Sequence, residues 1–171
     1  MTFAFSTTEV EDGTGKTTSL VFEQPEDSIA WLNRRSKTAF SAALDSDQES
    51  AALRATEELG DQLNSLGFSG TRTVLDQALD WPAIGAYART GETFDSDQIP
   101  AIYLEAYRLT AEEIAAGTWL ESESGTGAKR IEADDVEIEY SSGLSAASLA
   151  ANHPEIFRRL KAVLPSGGWQ G

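Results

Sequence analysis

DSDQESAALRATEELGDQLNSLG, residues 45–67, is the stretch that decides the fold. Ala52, Leu59, Leu63 and Leu66 share one face at helical spacing, while Glu49, Glu57, Glu58 and Asp61 sit mainly elsewhere. That is the pattern of an amphipathic helix with one side against a core. Ser46 or Asp47 has the side chain to cap its start, and Gly67 offers the conformation at which helices commonly close. A helix of this length needs other elements to cover its apolar stripe.

Those elements lie on both sides. Downstream, a second long helix is predicted from near Ser96-Asp97 to Gly117, with Pro100 in its first turn, where a missing N–H is no loss. Ile99, Ile102, Tyr103, Ala106, Leu109 and Ile114 give it a broad apolar face. Upstream, Asp27-Ser28 opens a short helix with Ile29, Trp31 and Leu32, ending near Arg35, and Phe40 and Leu44 anchor the polar stretch after it. Residues 68–96 read as irregular. Val136, Ile138 and Tyr140 alternate with Glu137 and Glu139 as a half-buried strand, and Lys129-Arg130-Ile131-Glu132 can pair with it through Asp134-Asp135. Asn152-His153-Pro154 opens a further helix striped with Ile156, Phe157, Leu160, Val163 and Leu164. The fold expected is therefore mainly α, a small helical bundle with an embedded β-hairpin near 129–140. An extended N-terminal arm (1–26), with one short strand at Ser19–Phe22, precedes the helical domain (27–164), and a flexible tail (165–171) follows it.

The chain has 171 residues, enough for one core, and 40% of them are apolar. No apolar run approaches the ~18 residues of a membrane span, and MTFAFSTTEVEDG lacks the basic and apolar regions of a secretory signal. Cysteine is absent, which excludes disulfides and thiolate metal sites and fits a reducing cytoplasm. The net charge is −15, unevenly spread: residues 152–171 carry Arg158, Arg159 and Lys161 against Glu155, which leaves −17 on residues 1–151. Nucleic-acid binding draws on basic surface, so an acidic body argues against a grip on DNA, and the basic segment suggests contact with a different surface.

Few motifs point to chemistry. Gly13-Thr14-Gly15-Lys16-Thr17-Thr18 resembles the end of a phosphate-binding loop, but the required first glycine falls on Val10 and the upstream residues are acidic. A flexible polar loop is the better reading. His153 is the single histidine, so no His cluster can form, and helix capping or exposure accounts for it. Glu57-Glu58, Glu112-Glu113 and Asp134-Asp135 read as solvated faces, and Asp45-Ser46-Asp47 and Asp95-Ser96-Asp97 as helix starts. No enzyme and no cofactor is expected. Trp31, Trp81, Trp119 and Trp169 are scattered among acidic neighbours; Trp81-Pro82 suits a core plug, and Trp169, beyond two glycines, suits an anchor for a partner's pocket.

Taken in order, IAWLNRRSKTAF (29–40) with Trp31, Ser46-Asp47 and the helix after it, Gly70-Thr71-Arg72, Gln77-Ala78-Leu79-Asp80-Trp81-Pro82, and Asp97-Gln98-Ile99-Pro100 with its following helix resemble a known family. It is that of the phage proteins labelled DnaT-like, encoded among virion assembly genes and read as head-to-tail connectors (adaptors for head completion). Ala83 stands where that family often has a basic residue. The resemblance implies a ring-forming connector, a homo-oligomer of twelve beneath the portal protein, located at the neck of a phage-like particle and assembled in the bacterial cytoplasm. DNA would pass through its channel without specific binding, and no membrane is involved. Phe157, Arg158, Arg159, Leu164 and Trp169 would dock on the portal. Lys129, Arg130, Val136, Ile138 and Tyr140 would meet a neighbouring subunit, or the next tail or stopper component. Trp31, Gly70, Thr71, Arg72, Trp81, Pro82 and Pro100 would carry the frame. The rival that the label itself suggests is a single-stranded DNA-binding protein.

Overall fold

A computed structural model of the chain describes residues 9–119 and 145–164. Within them run α1 (Pro25–Asn33), α2 (Ala39–Ala42), α3 (Asp45–Ser65), β1 (Thr71–Arg72), β2 (Ala83–Ile84), α4 (Ala101–Ala115), α5 (Ala146–Asn152) and α6 (Pro154–Ala162). About half of the described residues are helical, and β1 and β2 form one antiparallel two-stranded sheet, Thr71 opposite Ile84 and Arg72 opposite Ala83. The hairpin expected near 129–140 lies outside the described residues. None of the helices described is long and apolar enough to cross a membrane.

Helix α3 follows its sequence closely. Ala51, Ala52, Ala55, Leu59 and Leu63 are buried along one side. Its start differs in detail: Leu44 is the N-cap, and Asp45 and Asp47 lie in the first turn, where their charge favours the helix dipole without a capping bond. At the other end Gly67 takes φ 79°, the Phe68 N–H donates to the Leu63 carbonyl (3.0 Å) and the Gly67 N–H to that of Asn64 (3.2 Å). These are the paired bonds of a glycine-terminated helix.

Helix α4 is the centre of the bundle, with α1, α2, α3 and α6 all packed against it. Tyr103, Ala106, Tyr107, Leu109, Thr110 and Ala111 are buried on a broad face, and Glu105, Arg108 and Glu112 share the remaining sector. Pro100 caps this helix instead of entering its first turn, and its carbonyl accepts from Tyr103 (2.9 Å) and Leu104 (3.1 Å). Helix α5 has too little apolar sequence to be read in advance: Leu149 is its one buried residue, and the Ser145 hydroxyl caps it by accepting from the Ser148 N–H.

The irregular stretch 68–96 is pinned by Trp81, which is fully buried and follows the core-plug reading. Its ring meets Phe68 (5.0 Å between centroids), Phe94 (5.6 Å) and Tyr103 (5.7 Å), and the Trp81–Pro82 peptide is cis. Gly70 lets the chain pass close beside it: a Cβ there would sit 2.4 Å from the Phe68 ring and force that ring to shift.

Residues 9–24 differ from the extended arm expected of them. Val21 and Phe22 are buried, and the Phe22 ring packs edge-on against Tyr103 and Tyr107. The expected strand reduces to a single parallel bridge, Val10 with Val21. The glycine loop is not an open polar loop either. It wraps the buried Glu11 carboxylate, which accepts from the N–H groups of Gly13 (3.0 Å), Gly15 (2.9 Å) and Lys16 (2.9 Å). Successive N–H groups of this kind make an anion-binding nest. Here the chain's own carboxylate fills it, and Lys16 is paired with Asp12 at 3.2 Å.

Candidate nucleic-acid interface

The end of α1 is the basic feature that its sequence builds most deliberately. Asn33 is followed by Arg34-Arg35-Ser36-Lys37, three cations in four residues. The chain reverses there as the Ser36 N–H donates to the Asn33 carbonyl (3.1 Å) and the Lys37 N–H to the Leu32 carbonyl (3.2 Å), the glycine-type closure of a helix, with Ser36 at φ 57° in place of glycine. A side chain in that region costs on the order of 1 kcal/mol, and strain of this kind concentrates at functional turns. The result is a tight turn with Arg34 and Arg35 exposed and Lys37 half-buried.

Beneath the turn lies Trp31, itself buried. The Arg35 guanidinium carbon stands 3.5 Å from the centre of its ring, that of Arg108 at 5.5 Å and that of Arg159 at 6.0 Å. The aromatic face thus collects three cations from α4, α6 and the turn after α1. Two of them are neutralised. Arg108 donates through Nε to Glu23 (2.7 Å) and through Nη2 to the other oxygen of the same carboxylate, to which the Ser28 hydroxyl also donates. Burial works against the Arg108 charge, but the Glu23 carboxylate outweighs it and holds the guanidinium above its ordinary pKa. Arg159 donates to Glu105 at 2.9 Å. The Arg35 guanidinium donates, among the described residues, only to the Trp31 carbonyl, at 3.4 Å. Arg34, Arg35 and Lys37 have no carboxylate within ion-pair distance among the described residues.

A second group of cations extends from α6. The Arg89 N–H donates to the Ala162 carbonyl (3.0 Å), which sets the exposed Arg89 and Tyr87 of the 86–94 hairpin turn against the C-terminal end of α6. Arg158, one turn before Ala162, is exposed, and the Lys161 ammonium lies 5.8 Å from the Phe157 ring centre.

The residues expected to dock on a portal do not form one exposed set. Leu164 is buried, Arg159 is turned inward to Glu105, Phe157 is half-buried and Arg158 alone is exposed, while Trp169 lies outside the described residues. Lys129, Arg130, Val136, Ile138 and Tyr140 lie outside them too. Of the frame residues, Trp31, Trp81, Pro82 and Pro100 are buried, whereas Thr71 and Arg72 are exposed on β1.

Two further expectations change. Glu112 is not on a solvated face: it is buried, and its two oxygens accept from the N–H groups of Ala39 (2.9 Å) and Phe40 (2.8 Å) at the start of α2. His153 is neither exposed nor a side-chain cap; it is buried, stacked on Trp119 at 4.4 Å and hydrogen-bonded through Nδ1 to Glu113. Among the described residues no three His, Cys, Asp or Glu side chains cluster to hold a metal. The basic turn was legible as Arg34-Arg35-Ser36-Lys37, but a scan for residue types over whole segments averages it into its acidic surroundings.

Compared with known families, residues 7–170 match the one described as "Putative DnaT-like ssDNA binding protein". No curated protein and no solved structure matches the chain. The family match overturns the connector reading, with its ring of twelve, its portal and tail partners and its channel through which DNA passes unbound. The matched family is described by single-stranded DNA binding and not as one of head-to-tail connectors. Net charge alone says nothing of how the charges are placed: Glu11, Glu23 and Glu112 are buried against donors of the chain itself, while Arg34 and Arg35 stand exposed at one turn.

Proposed function

We propose, since the chain belongs to the DnaT-like ssDNA binding protein family, that it holds single-stranded DNA at the turn after α1. The observation that carries this is the contrast around Trp31: Arg108 and Arg159 are spent on carboxylates, while Arg34, Arg35 and Lys37 are not. Phosphates of the strand pair with these three cations. The Arg35 guanidinium rests on Trp31 with one face and offers the other to a base, since a guanidinium plane stacks as an aromatic ring does. Arg158 and Arg89 continue the basic surface where the strand runs on past α6. The function is binding, with no chemical step.

The test is fluorescence anisotropy of a labelled oligothymidine at stepped salt. Three phosphate contacts give log K against log salt a slope of about −2, at roughly −0.7 per contact, hence a loss of about twentyfold between 50 and 200 mM. Substituting Arg34, Arg35 and Lys37 together by alanine should remove most of that affinity and flatten the slope, with circular dichroism confirming the fold. An intact salt slope in the triple variant would refute the placement at this turn, and an absence of binding at low salt would refute the function.

A further inference from the structure

Two of the sequence motifs, Gly70-Thr71-Arg72 and Asp80-Trp81-Pro82, take no part in the basic turn, yet the fold brings them together. Arg72 and Asp80 meet at 3.5 Å beside a cleft of about 240 Å³, whose walls include Phe22, Tyr103, Asp61 and Asn64. Several features mark it as a site and not a packing gap. Tyr103 is fully buried, lines the cleft and feels the charge of Asp80, yet its hydroxyl has no hydrogen-bond partner among the described residues. Buried polar groups are nearly always paired, so an unpaired hydroxyl on a residue that lines a cleft marks a place where a small adjustment would admit a ligand atom. Asp61 stands in the same cleft; burial, then the charge of Asp80, holds its carboxyl above the ordinary range. Arg72 is half-exposed, and 3.5 Å is at the limit of a hydrogen bond, so its guanidinium is loosely held.

The chemistry of the walls selects the occupant. The volume equals about eight waters at ~30 Å³ each, room for one planar ring and not for a chain. Phe22 and Tyr103 supply aromatic surface, and the carboxylates of Glu57, Asp61 and Asp80 outnumber the single cation Arg72, which favours a ligand that presents donors. We propose that this cleft takes one unstacked base of a bound strand, a base carrying an exocyclic amino group. The amino group donates to Asp80, a polar ring atom pairs with the Tyr103 hydroxyl, and Arg72 leaves Asp80 for the adjoining phosphate. Cytosine, adenine and guanine have such a group; thymine lacks it and would set a carbonyl oxygen against the carboxylates. The inference rests on the single-strand reading but uses a different part of the surface from the basic turn.

Anisotropy measured with oligothymidine and with the same strand carrying central cytosines or adenines separates the two claims. The amino-bearing strand should bind about tenfold tighter, as one good base contact allows. In Tyr103→Phe, which removes only the unpaired hydroxyl, and in Asp80→Asn, the ratio between strands should fall toward one. Titration of the free protein with deoxycytidine and thymidine monophosphates, followed by the amide signals of residues 60–64 and 78–81, gives a readout independent of strand binding. Strands that bind with no preference for amino bases, and mononucleotides that leave those signals unmoved, would overturn the cleft while sparing the single-strand reading. Deoxycytidine monophosphate shifting those signals in a protein that binds no strand would support the cleft and overturn the wider reading. Loss of the preference in Tyr103→Phe, with an unchanged melting temperature, would support both.

Discussion

Glu11→Ala should empty the nest formed by Gly13, Gly15 and Lys16, and the size of its effect can be worked out from the geometry. Three N–H groups donate to one buried carboxylate at 2.9–3.0 Å. Hydrogen bonds to a charged group contribute about 1.5–3 kcal/mol each, so a rigid loop would lose more than about 4.5 kcal/mol. The loop need not stay rigid. It is docked by the bond from the Ala78 N–H to the Lys16 carbonyl (3.0 Å), by the Val10–Val21 bridge and by the fit of Gly15 against Gln77. Once the loss exceeds what these contacts hold, residues 9–20 detach and hydrate, and the cost stops growing. The expected loss is therefore about 2–4 kcal/mol. Urea unfolding followed by tryptophan fluorescence gives the total, and amide hydrogen exchange at Gly15 and Lys16 locates it. Glu11→Gln keeps one acceptor oxygen and should lose about half as much. Formate, a carboxylate small enough to enter the vacated nest, should restore part of the protection. An unchanged urea midpoint with Gly15 and Lys16 still protected would refute the idea that the carboxylate organises the loop.

Other substitutions test the core and the turn. Ser36→Gly relieves the left-handed strain at φ 57° and should raise stability by about 1 kcal/mol, a few degrees in melting temperature; a lower melting temperature would mean that the serine is not strained. Trp81→Ala removes a fully buried ring in contact with Phe68, Phe94 and Tyr103 and should cost about 3–5 kcal/mol in urea unfolding. For Asp61, burial and the Asp80 charge raise the folded pKa above 3.8. The folded state then binds the proton more tightly than the unfolded chain, so stability drops as pH climbs from 3.8 through the raised value. Asp61→Asn should accordingly raise the melting temperature at neutral pH and lose that advantage in acid below pH 3.8, and a lower melting temperature at neutral pH would count against it.

The helical frame was legible because its signals are local. The apolar stripe of α3 and the glycines at 67 and 117 set the ends of the two long helices within a residue or two. Pro100 shows the limit of such signals: a proline fits both the first turn and the cap, and only the Pro100 carbonyl accepting from Tyr103 and Leu104 distinguishes them. The partnerships of charged groups were not legible. Glu112 bonds Ala39 and Phe40, and Arg108 bonds Glu23, across more than seventy residues of chain. Nothing in the spelling of an acidic pair says that one member is buried under a helix start. The cleft was hidden for the same reason, since Arg72, Asp80 and Tyr103 come from three separated segments.

The charge of the whole chain and the charge at the turn act at different ranges, and this leads to an unusual kinetic expectation. At physiological salt the Debye length is about 8 Å. A phosphate at Arg35 therefore responds to Arg34 and Lys37 beside it, while the exposed carboxylates on the far side of α3 are screened. Of the carboxylates around Trp31, Glu23 and Glu105 are already bonded to Arg108 and Arg159, which leaves the exposed Asp27 on α1. At longer range the approaching strand meets a body of net −15 and is repelled. Salt weakens that repulsion, so the association rate should rise with salt, whereas release of the bound phosphates makes dissociation rise faster still. A generally basic binder shows the opposite trend in association. Stopped-flow mixing with a labelled single strand at 20–200 mM salt separates the two rates. An association rate that falls steeply with salt would mean that the strand is steered by an attractive field over the whole protein, and the local grip at Arg34, Arg35 and Lys37 would then be the wrong description.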